Sequence, residues 1–95
     1  MTFSVLFFCF NLDPLNITYI SENMTVNQND LVNLTCNAYG YPKPTITWTK
    51  NYNIVNKSFI VSGRRDEGLY VCTADNGIGN SASDSVYITV ECKSK

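Results

Sequence analysis

The sequence reads as an all-β domain, and three observations carry that reading. Short runs alternate apolar with polar residues, and no run sustains a 3.6-residue apolar period. The runs are rich in Val, Ile, Thr and Tyr, which suit a pleated, half-buried surface. Gly, Pro, Asn and Asp collect between them, where the chain must reverse. With 95 residues there is room for one domain. A core that small is marginal, so a covalent staple would help.

The elements follow in order. Residues 1–10, MTFSVLFFCF, are apolar but too short to span a bilayer. They resemble the apolar region of a secretory signal, without a preceding basic residue or a following small-residue cleavage site. A signal or its remnant, the product of an incompletely traced gene, and a first strand with a structural Cys9 are the three readings they allow. Ile17 to Ile20 and Met24 to Val26 are short strand candidates. NQND can then turn with positive φ at Asn29. In LVNLTCNA, alternation puts Val32, Leu34, Cys36 and Ala38 on one face. GYPKP breaks the chain, because Pro42 and Pro44 cannot donate ladder hydrogen bonds. TITWTK turns Ile46 and Trp48 inward and Thr45, Thr47 and Thr49 outward. Ile54 to Val55 and Phe59 to Val61 are further short candidates. GLYVCTAD places Tyr70, Cys72 and Ala74 inward, with Leu69 and Val71 on the other face. DNGIGN contains Asn76-Gly77 and Gly79, a hairpin signal. SVYITVE points Val86, Ile88 and Val90 inward, and Tyr87 and Thr89 outward.

Composition narrows the function classes. The chain has no histidine, four cysteines and a formal net charge of -1. That charge gives no electrostatic case for nucleic acid. Without histidine the commonest general base and metal ligand are missing. Cys9, Cys36, Cys72 and Cys92 form no C-x-x-C pair, which argues against zinc. Asp75, Asp84 and Glu91 lack calcium-loop spacing. Asp66 and Glu67 are adjacent and face apart, so they are not a catalytic pair. No enzyme activity, cofactor or metal is expected. An even cysteine count in a short chain suggests an oxidising compartment. Four N-x-S/T sequons, at Asn16, Asn23, Asn33 and Asn56, point the same way.

The stretch DEGLYVC brings these threads together. Cys36, Trp48 and Cys72, with Asp66, Gly68 and Tyr70 in register, resemble the immunoglobulin superfamily. GYPKPTITW and TADNGIGNSASDSVYITV are similar to its I-set branch, as is TVNQNDLVNLTC apart from Asn29, where the family often has Gly. The resemblance implies a two-sheet antiparallel Greek-key sandwich of about seven strands. It also implies a Cys36–Cys72 bridge packed on Trp48, with Leu34 and Ile46 in the core. Tyr70 would be a tyrosine corner, its hydroxyl returning to the backbone near Asp66. Such a bridge closes a loop of about 37 residues, worth roughly 4 kcal/mol by chain-entropy reasoning. One departure stands out: only 23 residues separate Trp48 from Cys72. No C″ strand is expected, and C′ and D should be shortened or merged. That puts in doubt the edge of the A-B-E-D sheet and the apolar contact usually made between strand E and Asp66.

The domain is expected over residues 14–92, with a signal-like or disordered segment at 1–13 and a tail at 93–95. The abrupt end suggests a piece of a longer protein. The resemblance implies an extracellular recognition module of a cell-adhesion molecule or receptor ectodomain, secreted or anchored. Its partners would be other extracellular proteins, a second copy among them, and neighbouring domains. A structural spacer and a muscle-type intracellular domain are the alternatives, and the sequons argue against the second. In the family's topology the four sequons belong to the A-B-E-D sheet or its edges. The outer C-F-G face, with Thr47, Thr49, Val71, Thr73, Tyr87 and Thr89, is then the expected binding surface. Arg64-Arg65 could contact an acidic partner, form a solvated turn, or pair one Arg with Asp66. Cys9 and Cys92 could bridge each other; if a signal is removed, Cys92 is left to pair elsewhere.

Overall fold

The computed structural model describes residues 13–79 and 81–91. The readings of residues 1–10 and of the Cys9 and Cys92 pairing lie outside them. The described residues form strands and one turn of 3-10 helix at Arg64–Asp66. The strands are β1 (Asp13–Ile20), β2 (Met24–Asn27), β3 (Leu31–Asn33), β4 (Cys36–Tyr41), β5 (Thr45–Lys50), β6 (Asn53–Val55), β7 (Ser58–Ile60), β8 (Gly68–Asp75) and β9 (Ala82–Glu91). One layer comprises the β1–β4 and β3–β7 pairs, and the other is five-stranded in the order β2-β9-β8-β5-β6. These correspond to A-B-E and A′-G-F-C-C′ of the expected sandwich.

One expected strand is divided and another changes layers, for visible reasons. The B strand breaks at Leu34–Thr35, where the backbone changes partners: Leu34 N–H donates to Lys57 O, and Thr35 N–H to Ser21 Oγ. Alternation survives the break, so Val32, Leu34 and Cys36 are all buried. The A strand leaves its sheet after Ile20 and resumes as β2 in the other layer. There it pairs with β9 in parallel, while the other strand pairs are antiparallel. Among the described residues there is no D strand, so the sheet expected as A-B-E-D is A-B-E.

The core lies between the layers. Val32, Leu34 and Cys36 meet Trp48, Tyr70, Cys72, Val86, Ile88 and Val90. Full burial of each Val, Leu or Ile contributes about 1.5–3 kcal/mol. Ile46 is only partly buried and packs against this cluster. Cys36 and Cys72 are bridged across the layers, with Cα atoms 6.5 Å apart. Cys72 sits opposite Trp48 on the adjoining strand.

The tyrosine corner is present. Tyr70 Oη donates to the Asp66 carbonyl at 2.5 Å. Burial first, and the neighbouring Asp66 second, push the Tyr70 hydroxyl up to about 12. Ser62, rather than an arginine, satisfies Asp66: its N–H and Oγ reach Oδ2 at 2.6 and 3.0 Å. Arg64 and Arg65 form the turn itself, and Arg65 Nε donates to Ser62 Oγ. The apolar contact in doubt comes from Val61, which is fully buried and tied by backbone bonds to Asn29 and Asp30. Asn29 has φ 77, as the turn requires. Gly68 has φ 147, and a Cβ there would stand 3.1 Å from Lys50 Cε. The β5–β6 hairpin turns through Asn51 and Tyr52, both at positive φ, as the right-handed twist of its strands demands.

Candidate protein-binding face

Strands β5, β8 and β9 present one continuous outer surface, set by their register. Thr47 faces Thr73 and Ser83; Thr49 faces Val71 and Ser85; Leu69 faces Tyr87. On the far side, Ile54 of β6 pairs with Thr49. A row therefore runs from Ile54 through Thr49 to Val71, with Leu69 and Tyr87 diagonal to it. Ile54, Leu69 and Tyr87 are 79%, 50% and 41% exposed. Thr47, Thr49, Val71, Thr73 and Thr89 are half-buried, because neighbouring side chains shield one another. The row has no charged member, so its desolvation costs little. A shallow groove of about 680 Å³ continues it past Thr47 and Thr73 toward Asp75 and Asn76.

The structure brings all six expected face residues onto this sheet. It adds two, Leu69 and Ile54. Leu69 was readable as outward from its place between Gly68 and Tyr70, but an isolated exposed leucine is ordinary. Only its register opposite Tyr87 makes it part of a patch. Ile54 becomes legible only once the hairpin places it beside Thr49.

The sequons need one correction. Asn16 lies on β1 opposite Tyr39, and Asn33 on β3 opposite Ser58, both on the outer A-B-E face. Asn56 lies between β6 and β7. Asn23, expected on the A-B-E-D sheet or its edges, instead sits beside β9 of the five-stranded sheet, where its Oδ1 accepts the Tyr87 N–H at 2.8 Å. The physical reason is the crossing of the chain into the second layer at this point. All four asparagines are exposed.

The opposite face also shows apolar side chains: Leu31 directly across from Ile60, with Tyr19, Tyr39 and Tyr41. Asn16 and Asn33 stand among these, whereas no sequon lies on β5, β8 or β9. Asp66 and Glu67 do diverge: Asp66 bonds Ser62, while Glu67 Oε1 accepts the Val90 N–H at 2.9 Å. Among the described residues no helix is long and apolar enough to cross a membrane.

Two layers bridged by Cys36–Cys72 over Trp48, with a tyrosine corner at the foot of β8, define an immunoglobulin sandwich. The chain belongs to the immunoglobulin domain family, which it matches over residues 16–76. It is 35% identical over 95 aligned residues to neural cell adhesion molecule 1 of Gallus gallus, covering 79% of this chain and 9% of that protein. It is 42% identical over 86 to IgLON family member 5 of Homo sapiens, covering 81% of this chain and 25% of that protein. The chain thus spans a quarter or less of these relatives. Among solved structures, an immunoglobulin domain from a mutant titin–obscurin-like 1 complex superposes with a TM-score of 0.75 at 20% identity, covering 88% of this chain and 99% of that one. That last likeness shows the fold. A domain of this family is a non-enzymatic module.

Proposed function

We propose that this chain is an extracellular recognition module of I-set/C2-like type, one domain of an adhesion molecule or receptor ectodomain. It contacts other proteins, a second copy of itself included, through the outer face of β5, β8 and β9. The observation that carries this reading is the uncharged row of Ile54, Thr49, Val71, Leu69 and Tyr87 on strands without a sequon. Aromatic and apolar residues clustered at the centre of a patch are where binding energy concentrates. The adhesion relatives support the same reading. Glycans on Asn16 and Asn33 would cover the opposite face.

The test uses Tyr87→Arg and Val71→Glu in secreted full chain, with Leu31→Glu on the opposite face as comparison. Sedimentation equilibrium and bead aggregation are the readouts. We expect each of the first two to weaken association by about tenfold or more, equivalent to ~1.4 kcal/mol. Leu31→Glu should leave it unchanged. The reverse pattern would overturn the assignment. The spacer reading is favoured by the small share of each relative that the chain spans, which leaves room for neighbouring domains. Wild-type protein that coats beads without aggregating them would speak for it.

A further inference from the structure

The flank between β6 and β7 leaves part of the sandwich uncovered. No described strand bridges these two, and only Asn56 and Lys57 connect them. Two recesses open there. One, of about 580 Å³, reaches Leu34, Ile46 and Trp48. The other, of about 390 Å³, reaches Phe59 and Tyr70, whose rings stack at 5.6 Å between centroids. Both lie within the size range of sites that take small organic groups. Ile54, Val55 and Asn56 form the rim shared by both. Asn56 is exposed, and it is the asparagine of the sequon Asn56-Lys57-Ser58.

We propose that Asn56 carries an N-linked glycan whose first N-acetylglucosamine lies over this flank and closes the recesses, in the position an additional edge strand would occupy. The inference rests on the extracellular reading above. The donor is a polyprenyl-diphosphate-linked oligosaccharide. Asn56 Nδ2 bonds to the anomeric carbon, the bond from that carbon to the diphosphate oxygen breaks, the lipid diphosphate leaves with the bonding pair, and the amide gives up one proton. The attached sugar offers a C–H face and an acetyl methyl to Val55 and Phe59, and hydroxyls to water. Asn56 is the sequon best placed for this, because it is the one on the rim. Asn16 on β1 and Asn33 on β3 line neither recess, and Asn23 lies on the opposite flank beside β9.

The test is the full chain secreted from glycosylating cells, as wild type, Asn56→Gln and Asn16→Gln. Site occupancy is read by mass spectrometry, cover of the recesses by anilinonaphthalene sulfonate emission, and stability by thermal melting. We expect Asn56 to be occupied. Asn56→Gln should raise dye emission by roughly twofold or more, since that dye reports exposed apolar surface. Its Tm should fall by about 4–8 °C. Asn16→Gln should change neither. Amidase removal of the sugars from folded wild type gives the same readout if Asn56→Gln is not secreted. An unmodified Asn56 beside occupied sequons elsewhere, or unchanged emission and Tm without its glycan, would overturn the proposal while leaving the extracellular reading intact. Four bare asparagines in secreted protein would overturn both.

Discussion

The two flanks of the sandwich are finished in opposite ways. On one side the chain itself crosses layers, and β2 lies against β9 over Met24–Asn27. Beyond that short ladder, side chains take over: Asn23 accepts the Tyr87 N–H, and Asp84 Oδ1 accepts the N–H of Ser85. An edge whose donors are already engaged offers little to another strand. On the other side β6 and β7 are three residues each, and the core is reached through two recesses. The contrast shows that closing a small sandwich is a local matter. A few backbone bonds and two side-chain acceptors seal one flank, and the short Trp48 to Cys72 connection leaves the other without a strand.

The sharpest way to break this comparison is to remove what holds the layers together. Cys72→Ala should cost about 2–5 kcal/mol by urea denaturation. Backbone exchange should then quicken on both flanks together. An unchanged midpoint would mean that side-chain packing alone sets the spacing of the layers.

Tyr70→Phe removes one part-buried hydrogen bond from a side chain that lines the open flank. Losing the hydroxyl leaves the Asp66 carbonyl unpaired and should cost about 1–3 kcal/mol. A pH signature accompanies it. The folded-state value is raised from 10.0 to about 12, chiefly by burial, so the unfolded chain releases this proton first. The stabilisation is therefore fully present below pH 10 and is lost as pH rises toward about 12. The gap between wild type and Tyr70→Phe should narrow across that window. A constant gap would place the hydroxyl in water.

Asn23→Ala probes the sealed flank and should have the smallest effect, about 0.5–1.5 kcal/mol for one exposed hydrogen bond. Made in bacteria, the variant separates the hydrogen bond from any sugar. The Tyr87 amide should exchange faster by NMR, while the Leu34 amide, bonded to Lys57 O on the other flank, keeps its rate. Equal changes at both amides would mean the flanks are not independent.

How much of this was legible depended on which forces leave a periodic trace. Burial does, so Val86, Ile88 and Val90, or Tyr70, Cys72 and Ala74, could be assigned inward by alternation alone. The tyrosine corner and the bridge were legible because they need particular residue types at particular offsets. The crossing of the A strand was not, because four residues carry no readable period and Ile20 and Met24 look alike to either layer. Asn23 was misplaced with it. The Asn51–Tyr52 turn was hidden because a bulky residue at positive φ is uncommon. The binding row was half visible: Tyr87 and Val71 face outward by alternation, but Leu69 and Ile54 join them only through cross-strand register.

The parallel pairing of β2 with β9 also decides how the domain bears tension. A pull between the segment before Met24 and Glu91 runs along both strands in opposite senses. It loads the rungs of that ladder in shear, all together, whereas a hairpin pulled at its ends opens rung by rung. Forced opening is governed by the rate of crossing a barrier and not by equilibrium stability. A domain of modest thermodynamic stability can thus resist stretching well beyond what its melting temperature suggests.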